Sequence, residues 1–310
     1  MTAQRLARIL KRLGGRVTVS EDWTLATPAD CMVAIHAWRS APAIARFHDR
    51  FPDRPLIVLL AGTDVNRFQY SDPETTLASM TRATRLVGLH DLLAEAVPPV
   101  YRHKVRIIHQ SASPLVGPRW PSRAHFDLCV VGHVREEKDA LRAAFAARRL
   151  PVRSRVRIIQ VGAALDDGWL AAITQEMDGN PRLIWRGEVP RWQVRELYRR
   201  CRAMVISSRQ EGGANVISEA VVAGLPVFAS DIPGNVGLLG PEHPALFPVA
   251  DTHALAALMR RAEFEPGFLD WVQRCQARRA HLFTARRERE AWGVMLRELA
   301  PDGEYPTPHA

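Results

Sequence analysis

Lysine is almost missing from this chain: only Lys11, Lys104 and Lys138 stand among 42 basic residues. The others are arginines spread through nearly every segment. A formal net charge of +9 therefore gathers into no single stripe of the kind a nucleic-acid groove needs, and nucleic acid is the weakest of the partner classes. Arginine bias of this sort follows genomic base composition, although it is compatible with anionic substrates. Long apolar runs are missing too. Nothing approaches the roughly 18 residues of a membrane span, and no charged-then-apolar signal segment opens the chain, so a cytoplasmic protein without stable membrane insertion is expected. Cysteine is sparse: Cys31, Cys129, Cys201 and Cys275 show no C-x-x-C spacing, and three of them lie inside apolar or helical segments. Free buried thiols are expected, with no disulfide and no metal site.

What is present reads as an ordinary soluble protein, 47% hydrophobic and 24% charged, and 310 residues suffice for two domains with full cores. The periodicity predicts a helix over residues 2–13, closed by Gly14-Gly15, and strands at 16–20, 31–37, 56–60, 85–89 and 105–108. Helices are expected between them at Ser40–Phe51 and Asp72–Thr81. A Pro-, Ser- and Arg-rich stretch, Ser113–His125, reads as an interdomain linker. Beyond it the pattern repeats, with strands at 126–134, 156–162, 182–187, 203–207 and 226–230. The helices expected there are 137–149, 167–177, 190–201 and 214–223. Continuous apolar strands alternating with helices imply parallel sheets covered on both faces. The expected fold is α/β: two Rossmann-like domains in tandem, 1–118 and 119–280, facing a cleft that is the default ligand site. A C-terminal helix at 281–299 is expected to pack back across the domain junction, before a frayed tail at 300–310. The first domain opens on a helix, so its opening strand is expected to be missing.

The richest stretch is Ser207–Pro226, SSRQEGGANVISEAVVAGLP. A buried strand at 203–206 leads through Gly212 and Gly213 into a helix beginning near Ala214, whose unpaired N–H groups favour an anion such as a diphosphate. Gly212, Gly213, Ala214 and Asn215 are candidates for that cradle. Glu211 in the loop and Glu219 on the helix give the spacing E-x7-E. Two further loops follow strands of the same expected sheet. In VVGHVREEKDAL, Gly132 permits a tight exit, and Arg135 and Lys138 lie three residues apart, a fork and a mobile point charge suited to a diphosphate. Taken alone, a solvated helix start is the favoured explanation of them, and it is their place after a strand of the same expected sheet that changes this. In LIWRGEVP, Arg186-Gly187 ends a strand, where backbone N–H and C=O groups are placed to read a nucleobase edge.

Together the loops GHVREEK, WRGEVP and EGGANVISEAVVAGLPVFAS resemble the nucleotide-sugar domain of GT-B glycosyltransferases of the family 4-like group, over about Phe126–Gly240. The resemblance implies that Glu211 contacts donor sugar hydroxyls, Glu219 the ribose hydroxyls, and Arg135 and Lys138 the diphosphate. A narrower resemblance rests on VAIHAWRSAPAIARF, LIVLLAGTDVNR, HQSA, GHVREEKD, VGAALDD, EGGANVISEAV and IPGNVGLLG. These segments look like selenosugar synthases of selenoneine biosynthesis, in the same group. That resemblance implies UDP-N-acetylglucosamine or UDP-glucose as donor, selenophosphate as acceptor and a C–Se bond at the anomeric carbon, with no cofactor and no divalent metal.

Such an acceptor brings its own nucleophile and asks mainly for an anion pocket. His36 and Arg39 at the end of strand 31–37, and Thr63, Asp64 and Arg67 after strand 56–60, are the candidates. A satisfied core histidine explains His36 equally well, and Asp64 is suited either to orienting Arg67 or a sugar hydroxyl, or to capping the segment after it. Two other readings stand beside this one: a glycosyltransferase of the same fold with a hydroxyl acceptor, and a non-catalytic nucleotide-sugar-binding module. Oligomeric state is not written in these residues.

Overall fold

A computed structural model describes residues 2–23 and 28–299. The chain divides into two compact units, one running to Ser111 and resuming at Leu282, the other Ala112–His281. The first stretch thus ends at Ser111, short of the expected boundary at 118. The expected tail at 300–310 lies outside the described residues.

In the first unit, α1 (Thr2–Arg12) precedes β1 (Met32–Ile35), α2 (Ala41–Arg50) and β2 (Leu56–Leu59). A wide π turn at Asp64–Phe68 and the short α3 (Gln69–Ser71) lead to α4 (Pro73–Arg82), β3 (Arg85–Gly88), α5 (Leu93–Ala96) and β4 (Val105–Ile107). The four strands form one parallel sheet in the order β1-β2-β3-β4. The expected strand at 16–20 does not form: Arg16, Thr18, Val19 and Ser20 are exposed, and no sheet edge pairs with them. Alternating valines favour an extended chain, but a strand requires a neighbour to satisfy its backbone. β1 also ends earlier than expected, because His36 turns to a positive φ of 79° and the next two N–H groups, of Ala37 and Trp38, donate to the Asp64 carboxylate.

The second unit carries β5 (Phe126–Val131), α6 (Arg142–Arg148), β6 (Val156–Val161), α7 (Asp167–Gly179), β7 (Leu183–Trp185) and α8 (Arg191–Arg200). It continues with β8 (Ala203–Ile206), α9 (Asn215–Val222), β9 (Val227–Ser230), α10 (Pro233–Leu239), β10 (Leu246–Phe247), α11 (Thr252–Phe264) and α12 (Phe268–Ala277). Its strands are parallel in the order β10-β9-β8-β5-β6-β7. The chain runs outward from β5 to β7 and then crosses back to β8, on the other side of β5. That reversal makes the carboxyl ends of β5 and β8 the switch point, where parallel sheets open a crevice. The helix expected over 137–149 is broken: Glu136–Lys138 forms a 3-10 turn, Asp139 takes a left-handed φ of 44°, and α6 starts only at Arg142. Asp139 accepts from the Arg142 side chain at 2.8 Å, which anchors the break.

Ser113–His125 is not a free linker. Arg195 donates to the carbonyls of Ser113 and Pro114, Arg199 to that of Val116, and Arg202 to that of Ser122. Arg119 reaches the opposite way, its guanidinium serving the carbonyls of Tyr198 (3.0 Å), Cys201 (2.5 Å) and Gly224 (2.7 Å). The stretch is a strap laid on α8, which is why the first unit ends at Ser111.

The chain closes with α13 (Ala285–Leu299), which rejoins the first unit. Trp292, Met295 and Leu296 pack with Leu6, Leu13, Ile57, Leu59 and Val87, covering one face of the first sheet. Ile44, Phe47 and Met80 cover the other. Glu288, buried on α13, accepts from Arg5 and from both the N–H and hydroxyl of Ser111. Among the described residues no helix is long and apolar enough to cross a membrane.

Candidate functional site

The loops after β5 and β8 meet at the switch point and are fastened to each other. Lys138 Nζ lies 2.5 Å from Glu211 Oε1, and Ser208 Oγ donates to the same oxygen at 2.6 Å. The Arg209 N–H donates to the Glu137 carbonyl at 2.8 Å, and Ser207 Oγ to that of Asp139 at 2.9 Å. Val130–His133, Lys138, Ala140 and Val205–Ser208 line a small crevice here. The ends of β5 and β6 touch backbone to backbone, since a methyl group on Gly162 would lie 2.1 Å from the Gly132 carbonyl oxygen. Gly132 itself has a φ of 154° and lies beside the Lys138 stem.

Arg135 departs from its expected partnership. Its backbone is extended, its nearest carboxylate is Glu137 at 3.8 Å, and it takes no part in the Lys138–Glu211 contact. Gly213 needs its φ of 123°, while Ala214 is buried as the N-cap of α9 without a side-chain cap. Gly212 sits beside them, half-buried. The Asn215 side-chain amide donates to Glu219 at 3.2 Å, a contact separate from the backbone cradle expected there.

Glu219 is held from three directions. Asn215 Nδ2 and Arg191 Nη2 (3.3 Å) donate to Oε1, and the Tyr198 hydroxyl donates to Oε2 at 3.1 Å. Burial, and then the Glu219 charge, push the Tyr198 phenol well above its ordinary pKa. Arg191 and Tyr198 were not singled out from the sequence. They stand seven residues apart, on one face of α8, and that spacing was the available signal.

Arg186-Gly187 offers less than expected. The Arg186 N–H donates to the Gln160 carbonyl (3.0 Å), and the Gly187 carbonyl accepts from the Gly162 N–H (2.7 Å). The groups outside this pairing, the Arg186 carbonyl and the Gly187 N–H, belong to one trans peptide and point in opposite directions. A base edge can meet one of them, not both.

In the first unit the sequence candidates separate. His36 Nδ1 lies 2.6 Å from Asp64 Oδ1, and Nε2 lies 2.9 Å from Thr63 Oγ1. Asp64, fully buried, also accepts from the N–H groups of Ala37, Trp38 and Ala61. It clasps two loops and orients His36; it does not orient Arg67, whose guanidinium lies over the Phe68 ring. Arg39 and Arg67 are exposed. All four cysteines are free, Cys129 and Cys201 buried, Cys31 and Cys275 half-buried. Burial pushes the Cys31 thiol up to about 12. Among the described residues, no three His, Cys, Asp or Glu side chains gather in a way that would hold a metal ion.

Comparison with known proteins places this arrangement. The family model "Glycosyl transferases group 1" matches residues 123–296, more than half of the chain, and the chain belongs to that family. A curated relative, the GDP-mannose-dependent alpha-mannosyltransferase of Mycobacterium tuberculosis (strain CDC 1551 / Oshkosh), is 26% identical over 231 residues. That match covers 72% of this chain and only 56% of the relative. Among solved structures, Anabaena Alr3699/HepE in complex with UDP superimposes with a TM-score of 0.72, at 16% identity, over 87% of this chain and 79% of that one. Sucrose-phosphate synthase from Thermosynechococcus elongatus gives 0.69, at 16% identity, over 87% and 73%. The fold is GT-B, with two Rossmann-like parallel-sheet domains.

Proposed function

We propose that this chain is a glycosyltransferase that moves a sugar from a UDP donor, UDP-N-acetylglucosamine or UDP-glucose, to selenophosphate. The observation that carries the transferase reading is the junction at the switch point, where a cation, Lys138, and a carboxylate, Glu211, are locked together beside a crevice that Gly132 and Ser207–Ser208 help to line. HepE, solved with UDP and with UDP-glucose, supports the choice of donor. The acceptor rests on the resemblance of the seven sequence segments to selenosugar synthases.

In this mechanism the selenium lone pair attacks the anomeric carbon. The new bond is C–Se; the broken one joins C1 to the β-phosphate oxygen, whose electron pair leaves with UDP. Charge growing on the diphosphate meets Lys138, Arg135 and the N–H groups that open α9. Lys138 is partly neutralised by Glu211 before the donor arrives, so its field is directed to the diphosphate only when Glu211 turns to the sugar hydroxyls. Glu219, with its three donors, is placed for the ribose hydroxyls. No divalent metal takes part, and turnover persists in a chelator. The reaction needs no strong general base, because a selenium nucleophile is already reactive. On the acceptor side, the exposed Arg39 and Arg67 supply the anion contacts, while Asp64 holds His36 against Thr63 beneath them in the β1 and β2 loops.

Mass spectrometry of the products tests this. The chain is incubated with UDP-N-acetylglucosamine, UDP-glucose or GDP-mannose and selenophosphate, or with a hydroxyl acceptor, with and without chelator. A product carrying the selenium isotope pattern from a UDP donor is expected. Glycosylation of the hydroxyl acceptor without any selenium product contradicts the acceptor assignment; transfer from GDP-mannose alone contradicts the donor.

A further inference from the structure

The segment IPGNVGLLG, Ile232–Gly240, contains none of the residues assigned so far, yet it underlies Glu211. Gly234 opens α10 directly against the Glu211 backbone: a methyl group there would lie 2.4 Å from the Glu211 carbonyl oxygen and 2.8 Å from its Cβ. The obstructing oxygen belongs to the main chain, so a side chain at 234 must displace Glu211 at its backbone.

Asn235, the next residue, is fully buried and starts a chain of hydrogen bonds that ends on the carboxylate. Its Nδ2 donates to the carbonyl and hydroxyl oxygens of Ser230, each at 3.0 Å. Ser230 Oγ donates to the Ser208 carbonyl at 2.5 Å, and Ser208 Oγ donates to Glu211 Oε1, the oxygen that Lys138 also holds. One short stretch thus supports Glu211 from below by contact and from the side by hydrogen bonds.

We infer that Gly234 and Asn235 are positioning residues for sugar transfer: they set where the Glu211 carboxylate stands relative to Lys138 without touching UDP. This rests on the reading that Glu211 faces the donor sugar. A displacement of about 1 Å at a reacting centre lowers turnover by as much as about 100-fold, whereas UDP, held through Glu219 and the diphosphate contacts, is bound as before.

Two readouts test it. With only three lysines in the chain, ¹³C-dimethylation gives few enough resonances for Lys138 to be assigned through Lys138→Arg. The Lys138 signal is expected to shift in Gly234→Ala and Asn235→Ala in the direction it shifts in Glu211→Gln. In kinetics, Gly234→Ala is expected to lower kcat about 10- to 100-fold with the Kd for UDP within about twofold of wild type. Added to Glu211→Gln it is expected to lower kcat no further, because the two act through one group. A merely structural role lowers the melting temperature while the Lys138 signal and the kcat per folded molecule stay as in wild type, and that result overturns the inference. So does a loss that multiplies with that of Glu211→Gln. A wild-type chain that binds UDP and transfers no sugar instead overturns the proposed function, and the Lys138 resonance then decides on its own whether Gly234 places Glu211.

Discussion

Glu211 and Glu219 share a spacing motif but stand in different surroundings, and so their losses are expected to differ. Glu219 is surrounded by hydrogen-bond donors from two helices, Asn215 on its own and Arg191 and Tyr198 on α8. Glu219→Ala is expected to weaken UDP binding about tenfold or more, the cost of losing a charged hydrogen-bond acceptor, as read by titration calorimetry. Lys138→Ala removes the cation paired with Glu211; under the proposed function it is expected to lower kcat by about 2–4 kcal/mol of transition-state stabilisation, with UDP affinity less affected. Equal and negligible effects at both positions would move the site elsewhere. At this scale the sequence was most legible where local conformation follows from a residue's own loop, as for Gly213 with its positive φ before α9. It was least legible where partners come from other elements. Tyr198 and Arg191 reach Glu219 from α8, and Asp64 spends its carboxylate on the backbone of the β1 loop instead of on nearby Arg67. The Asn215 side chain likewise holds Glu219, a contact that its place in the expected backbone cradle does not announce.

Elements were legible wherever burial on both faces made a strand continuously apolar. β2, β3, β5, β6 and β8 fall within the runs expected for them. Elements that depend on a neighbour were not: RVTVS has the alternation of a strand and finds no edge, and the helix after β5 is interrupted by a left-handed Asp139 that no periodicity announces. The strap is the clearest case. Proline and serine content reads as a linker, but the arginines of α8 and of the strap itself bind it carbonyl by carbonyl. Arg119 ties the end of α8 to the turn after α9, where a cation also favours the helix dipoles, and these helices carry Tyr198, Arg191 and Glu219. Burial lowers the Arg119 pKa, and its three carbonyl partners offset that cost. Arg119→Ala is expected to destabilise the chain by about 2–4 kcal/mol in urea unfolding, because it leaves three carbonyls of a half-buried site without their donor. Arg119→Lys is expected to recover less than half of that, since a single ammonium cannot serve three carbonyls that face a planar fork. Full recovery by lysine would mean that charge alone matters there.

For the whole molecule, the first unit is made from both ends of the chain, and its acid sensitivity has an identifiable source. His90 is buried after β3, and its pKa falls from 6.5 to about 4 chiefly through burial, with Asp91 opposing the shift and His109 adding to it. The unfolded chain therefore takes up a proton near pH 6.5 that the folded chain refuses until about pH 4. Stability falls as the pH drops between those values, by about 3 kcal/mol or less, and is unaffected by this group above pH 6.5. His90→Leu cannot take up the proton, so its melting temperature is expected to fall less steeply than that of wild type from pH 6.5 to pH 4. Parallel profiles would show that another group governs acid unfolding.

In the proposed function the switch point between β5 and β8 holds a uridine diphosphate donor. Titration calorimetry of the whole chain with UDP and with GDP, repeated on Glu219→Ala, tests it most directly. UDP is expected to bind, GDP to bind more weakly, and Glu219→Ala to lose about tenfold or more in UDP affinity. Equal affinity for both nucleotides, or UDP binding untouched by Glu219→Ala, would contradict it.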